Sequence, residues 1–126
     1  MKLEVGMYCR YNNFQNKIKI AKIKGIQKAN EVFQYDYINF DNDDGELETN
    51  IIKASYNIID ILEVGDYVNG QKVYYDEELD FLYVQSFDAN GEFYQESITK
   101  QSFIDNIKSV ITHEQMEQME YKIKEK

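Results

Sequence analysis

The sequence predicts a mainly β protein built from two divergent copies of one small barrel-like module, followed by a short C-terminal helix. Three observations predict it: an internal repeat, apolar residues alternating between turn signals, and a capping box after the second copy. The repeat comes first. Leu3-Glu4-Val5-Gly6-Met7-Tyr8 recurs 59 residues on as Leu62-Glu63-Val64-Gly65-Asp66-Tyr67, identical at five of six positions. Downstream, Phe40-Asp41, Gly45-Glu46, Ile51, Lys53, Ser55 and Tyr56 correspond in order to Phe87-Asp88, Gly91-Glu92, Ile98, Lys100, Ser102 and Phe103. That offset is 47 except at the Gly-Glu pair. The offsets differ by 12, so the second copy is shorter by about one hairpin. The chain divides into a first module over 1–61, a second over 62–112, and a helix and tail over 113–126 that pack on them.

Within each copy the elements follow in order. The Val-Gly pair supplies a residue able to take positive φ before the first strand. Lys17-Ile18-Lys19-Ile20 has period two and reads as a half-buried strand. Aromatic and β-branched residues from Val32 to Phe40 predict another strand, ended by Asp41-Asn42-Asp43-Asp44-Gly45. Phe81 to Phe87 is its equivalent in the second copy, followed by a tight turn at Asp88-Ala89-Asn90-Gly91. Asn57 to Leu62 and Ile107 to Ile111 are expected to close the two copies. Thr112-His113-Glu114-Gln115 is then a capping box that starts a short helix. Its Met116 and Met119 share a face that docks on the barrels, and Tyr121-Lys122-Ile123 either extends the helix or, the preferred reading, returns as an edge strand.

A chain of 126 residues can bury about two-thirds of its unfolded surface, enough for a core without disulfides or metal. The only cysteine, Cys9, reads as a small buried strand residue. No apolar run is long enough to span a bilayer and the N-terminus lacks a signal peptide's apolar stretch, so a cytoplasmic protein with no membrane contact is expected. The net charge of −9 is unevenly spread: residues 1–28 carry +6, residues 29–98 carry −15 and the remainder is neutral. Such acidity argues against general nucleic-acid binding, which needs a basic face. It suits a basic partner or polyanion mimicry. The plainer alternative is that acids provide solubility while the basic N-terminal strands pair with acidic ones.

Catalytic and metal signatures are thin. Placing Gly45 or Gly91 at the glycine of a calcium loop leaves Phe40 or Ser86 at the first ligand position and Ile51 or Ser97 at the twelfth, so neither is a calcium site. His113, the only histidine, reads as a solvated residue at the helix start. Phosphate-binding, zinc-protease and serine-hydrolase motifs are absent from the sequence. The expectation is a protein without catalytic residues, metal or cofactor.

Tyrosine and carboxylate interleave at Tyr35-Asp36-Tyr37 and across Tyr74-Tyr75-Asp76-Glu77-Glu78-Leu79-Asp80-Phe81. Tyrosine offers contact area and a hydroxyl at low entropic cost. Tyr35, Tyr37, Asp43, Asp44, Tyr74, Tyr75, Asp76, Glu77, Glu78 and Asp80 are therefore the candidate partner-binding residues. The alternative places one tyrosine of each pair inward and leaves the acids solvated.

The Leu3–Tyr8 motif, Ile51-Ile52-Lys53-Ala54-Ser55, Asn57-Ile58-Ile59-Asp60 running into Leu62–Gly70, and Ile111–Gln115 together resemble small accessory proteins of phages, prophages and mobile elements of low-GC Gram-positive bacteria. The opening motif also resembles the start of SH3-like or KOW-type barrels, from whose nucleic-acid-binding members this acidic chain departs. The resemblance implies a non-enzymatic, phage-encoded inhibitor of a host defence protein, in concrete form an anti-CRISPR that occupies the nucleic-acid channel of a CRISPR-associated nuclease. A small-ligand or signalling-nucleotide module is the alternative, with Lys17, Lys19, Lys22 and Lys24 meeting phosphates in a cleft between the copies. A structural adaptor or homo-oligomer that pairs through exposed strands is the third.

Overall fold

The computed structural model describes residues 2–119. Five strands, β1 (Tyr8–Asn12), β2 (Ile18–Gln27), β3 (Tyr37–Phe40), β4 (Gly45–Leu47) and β5 (Ile51–Ser55), form an antiparallel sheet in the order β4-β3-β2-β1-β5. The rest of the chain makes two smaller sheets. β6 (Tyr67–Val68), β7 (Gln71–Lys72) and β11 (Val110–Ile111) pair in the order β11-β6-β7. β8 (Tyr74–Asp76), β9 (Phe81–Phe87) and β10 (Phe93–Ser97) pair in the order β10-β9-β8. Two short helices follow, α1 (Gln101–Ile104) and α2 (His113–Met119). No helix among the described residues is long and apolar enough to cross a membrane.

β2 separates two apolar cores. Its Ala21 and Ile23 face a cluster with Leu3, Cys9, Tyr11, Ile38 and Phe40, where the Tyr11 and Phe40 rings stack at 4.1 Å. Ile20, of opposite parity on the same strand, packs against a second cluster of Leu62, Val68, Val73, Val84, Ile98 and Phe103. Period-two alternation thus serves both sides of one strand. Burial in the first cluster pushes the Cys9 thiol up to about 12, which keeps it protonated and inert.

The repeated motif builds the same turn twice. Gly6 and Gly65 take φ of +96° and +94°. Each donates its N–H across to the next strand, to Ile23 and Val73, and these return a bond to Met7 and Asp66. The second correspondence is shifted by one residue. In the β3–β4 turn Asp43 takes φ +70° and donates to the Phe40 carbonyl, and in the β9–β10 turn Gly91 takes φ +79° and donates to Asp88. Asp43, not Gly45, is therefore the counterpart of Gly91.

The expected pair of SH3-like barrels is not formed. β4 pairs only with β3 and β5 only with β1, so the first sheet stays open. In the second half the long strand that would join the sheet is cut short. β2 pairs with both β1 and β3 over ten residues, whereas its counterpart breaks into β7 and β8 at Val73, whose N–H turns inward to the Asp66 carbonyl. The matched bonds put nine of the twelve missing residues just before this break, since Ile23 lies 17 residues after Gly6 and Val73 only 8 after Gly65.

Smaller expectations also change. Val32 to Asp36 is a loop, because the Asn30 side chain accepts from Val32 and Phe33 and Asp36 accepts from Ala29. Ile58–Ile61 is a 3-10 turn capped by Asn57 rather than a strand, burying Ile58 and Ile61 at the three-residue spacing that turn brings into line. The counterpart of β5 around Ser102 is helical. The Thr112 capping box forms as expected, with Thr112 and Gln115 bonded reciprocally. Tyr121 to Ile123 and the Met119 side chain lie outside the described residues.

Alanine at Gly6 or Gly65 is expected to cost about 1–2 kcal/mol for the positive φ alone. Gly65→Ala should cost more, since its Cβ would meet the His113 Cβ at 3.2 Å. Urea midpoints of the two variants check both the cost and its order.

Candidate functional site

Cross-strand register decides which side chains share a face of the β10-β9-β8 sheet. Tyr74 opposes Tyr83, Asp76 opposes Phe81, Gln85 opposes Gln95 and Phe87 opposes Phe93, which places these residues on one face. The other face holds Leu82 and Val84, which join the second core. Away from the core an aromatic ladder results: Tyr74 stacks on Tyr83 at 5.7 Å, Phe81 lies 5.9 Å from Tyr83, and Phe87 meets Phe93 edge-on at 6.3 Å. Phe87 and Phe93 are 69% and 52% exposed, high for phenylalanine. Residues 73–97, which contain this sheet, carry seven carboxylates and no Lys or Arg.

The β8–β9 turn gathers four of those carboxylates. Asp76 accepts from the backbone of Glu78 and Leu79, and Asp80 takes φ +54° to close the loop. Asp76, Glu77, Glu78 and Asp80 form no ion pair among the described residues. The Tyr75 hydroxyl donates to Asp80. That bond, with slight burial and the charges of Asp80, Glu77 and Asp76, holds the Tyr75 phenol above its ordinary range, a local sign of negative potential.

Sequence-predicted residues fall in three places. Tyr74, Tyr75, Asp76, Glu77, Glu78 and Asp80 do share β8 and its turn. Tyr74 is engaged on its ring faces by Tyr83 and by Lys72, whose Nζ sits 5.6 Å from the centroid. Tyr35 and Tyr37 lie elsewhere, lining a cavity of about 700 Å³ with Val32, Phe33 and Leu47. Asp43 and Asp44 sit in the β3–β4 turn and already have countercharges, Lys24 at 3.0 Å and Lys19 at 3.4 Å. Asp44 also accepts from the Tyr11 hydroxyl at 2.7 Å. Phe81, Tyr83 and Phe87, whose odd-numbered spacing on β9 is the period of one sheet face, and Phe93 opposite Phe87 on β10 were not among the candidate residues from the sequence.

A second constellation surrounds Arg10, which is only 1% exposed on β1. Its guanidinium forks onto the buried Asp66 at 2.8 and 3.1 Å and contacts Glu114 at 2.6 Å, Glu63 at 3.4 Å and the Ile61 carbonyl at 3.3 Å. Asp66 accepts two further bonds, from the backbone N–H of Glu63 and of His113. Burial alone would lower the guanidinium's pKa, but the bonds and charges of Asp66 and Glu114 outweigh it and raise the value. Burial likewise works to raise the Glu63 carboxyl, and the His113 and Lys53 hydrogen bonds with the Arg10 charge hold it below its usual range instead.

His113 is not simply solvated: its Nε2 lies 3.1 Å from Glu63 and 2.7 Å from Glu114. Glu63, His113 and Glu114 each bring one donor atom within 4.8 Å of the others, the spacing of a metal-binding group. The lysines expected to meet phosphates are divided. Lys19 and Lys24 are paired, while Lys22 lines a cleft of about 520 Å³ between the two halves with Lys108 across from it.

No family model, curated protein or solved structure matches the chain, so the resemblance to phage accessory proteins gains no support. The SH3-like assignment is further overturned by the open sheets.

Replacing one member of the Arg10–Asp66 pair strands a buried charge. Arg10→Met and Asp66→Asn are each expected to lose about 3–5 kcal/mol of stability. Their double variant should lose clearly less than the sum in a denaturant double-mutant cycle, the signature of direct coupling.

Proposed function

We propose that this chain is a non-catalytic, cytoplasmic binding protein whose β8–β10 sheet docks an arginine-rich surface of another protein. One observation carries the reading: an aromatic ladder, exposed at Phe87 and Phe93 and half-buried at Tyr74, Phe81 and Tyr83, in a stretch over 73–97 that holds seven carboxylates and no basic residue. Apolar rings provide the contact area and carboxylates the selection. A guanidinium satisfies both at once, stacking flat on a ring while its edge forks onto a carboxylate. Lys72 over Tyr74 already uses the same attraction at the border of the face.

Aromatic sheet faces also stack nucleobases, but the phosphates then need cations that this sheet lacks. A basic protein groove fits better. Proteins that hold nucleic acid present such grooves, so occlusion of one is the activity this surface would have.

Fluorescence anisotropy with a labelled dodeca-arginine peptide tests the reading, with dodeca-lysine and a single-stranded oligonucleotide alongside. The arginine peptide should bind, preferred over lysine, and should weaken at least tenfold on a shift from low to physiological salt. Changing Asp76, Glu77, Glu78 and Asp80 together to Lys should abolish binding. Phe87→Ser with Phe93→Ser should weaken the arginine peptide roughly tenfold and erase its preference over lysine. Tighter binding of the oligonucleotide, or full binding by the charge-reversed variant, would sink the proposal.

A further inference from the structure

Glu63 and Glu114 come from distant parts of the chain, yet both aim an oxygen at the same imidazole nitrogen. Glu63 sits in the repeated turn and Glu114 is the second residue of α2. Nε2 carries at most one hydrogen, so a neutral imidazole gives only one of these oxygens a full bond, and the Glu114 oxygen also accepts from Arg10. With the hydrogen on Nδ1 instead, Nε2 presents a lone pair to two carboxylates. A cation placed among the three would be met by the lone pair and both oxygens at once.

We propose that Glu63, His113 and Glu114 form a binding site for a divalent transition-metal ion of the zinc class. The geometry is close to what such an ion needs. Bonds of about 2.1 Å to nitrogen and oxygen in a tetrahedron separate the ligand atoms by about 3.4 Å. The observed spacings of 3.1 and 2.7 Å must open by about 0.3 and 0.7 Å to reach that value, within the reach of side-chain rotation. All three side chains are about one-third exposed, at 32%, 34% and 27%, so an ion can reach them from solvent. His113 also lines a neighbouring cleft of about 690 Å³ with Tyr67, Lys72 and Met116, room for a further ligand on the ion.

The surroundings orient the ligands, Glu63 through its second oxygen and Glu114 through both, including the one that faces His113. Glu63 turns its second oxygen to Lys53 at 3.0 Å and to Arg10 at 3.4 Å, leaving the first for the site. Arg10 grips both oxygens of Glu114 at 2.6 and 3.1 Å and is itself balanced by Asp66. Such outer contacts fix ligand orientation in known metal centres. Lys53 and Arg10 also place positive charge nearby, which moderates affinity. With a neutral imidazole the three carboxylates and two cations leave a single negative charge before the metal binds. A nitrogen-and-oxygen donor set favours zinc, nickel or copper over magnesium or calcium.

The composition makes the test clean, because the chain has one histidine and one cysteine, and Cys9 is buried. Untagged protein is titrated with zinc chloride by isothermal calorimetry, while the histidine ring resonances are followed by NMR. One ion should bind per chain, shifting both ring protons, with magnesium inert at the same concentration. At a hundredfold excess over the dissociation constant the melting temperature should rise by on the order of 5–10 °C. His113→Asn and Glu63→Gln should each weaken binding at least tenfold, and circular dichroism reports whether they stay folded. Lys53→Met, which removes a competing charge from a 43% exposed side chain, should tighten binding several-fold and serves if the other variants unfold. Absence of binding, or binding that leaves the histidine resonances in place, would overturn the proposal.

Discussion

A single guanidinium holds the two halves of this protein in register. Arg10 enters from β1, and the groups that satisfy it come from the repeated turn of the second half, from the 3-10 turn before it and from α2. A buried ion pair is not a cheap source of stability, because desolvating both charges offsets most of their attraction. Its strength is selectivity. Five N–H donors in a rigid fork accept few arrangements, and Asp66 meets them while also binding two backbone N–H groups of its own half. Any sliding of β1 against the turn at Glu63–Asp66 breaks several of these bonds together. The orientation of Glu63 and Glu114, and hence their approach to His113, follows from the same anchor.

The repeat shows how this asymmetry arose within two similar turns. Met7 and Asp66 occupy the same slot, and each accepts the N–H three residues before it, Met7 through sulfur and Asp66 through a carboxylate. The only mismatch among six positions is thus the residue that reaches across to the other half. It was legible in part: Arg10 is the sole arginine among fourteen basic residues, and a forked, always-charged donor in an otherwise apolar strand asks for a buried carboxylate. Which of the twenty-three acids answers it was not legible, since the pairing depends on how two turns fold against each other.

The turns at Gly6, Gly65 and Gly91 and the Thr112 cap, all set by local chemistry, were legible, whereas the local Asn30 and Asp36 bonds that make Val32–Asp36 a loop were not. Barrel closure was not local. It depends on whether edge strands meet, and three residues of β4 followed directly by a 3-10 turn give β5 no ladder to join. The aromatic face was half legible for a related reason. Tyr74 and Tyr75 are adjacent, so they must point to opposite faces of β8. Only Tyr74 belongs with Phe81, Tyr83 and Phe87, which alternate along β9. A search by clustering in sequence found the acids of the turn but missed the rings, whose order appears only in register.

Charge follows the same division. The basic N-terminal strands are largely answered within their own half: Lys19 by Asp44, Lys24 by Asp43, and Lys28 by Asp36. Arg10 is answered by Asp66 and Glu114. The plain expectation that basic strands pair with acidic ones therefore accounts for the first sheet but stops at Val73. Beyond it, seven carboxylates stand over 25 residues with no cation in the same stretch: five in the two turns of the sheet, Asp76 on the face of the rings and Glu96 on the opposite face. Solubility alone would favour acids without exposed phenylalanine, and apolar burial alone would favour rings without acids. Under the proposed reading, a partner that offers cations and flat apolar surface together, as arginine does, would account for rings on β8, β9 and β10 beside acids in their turns.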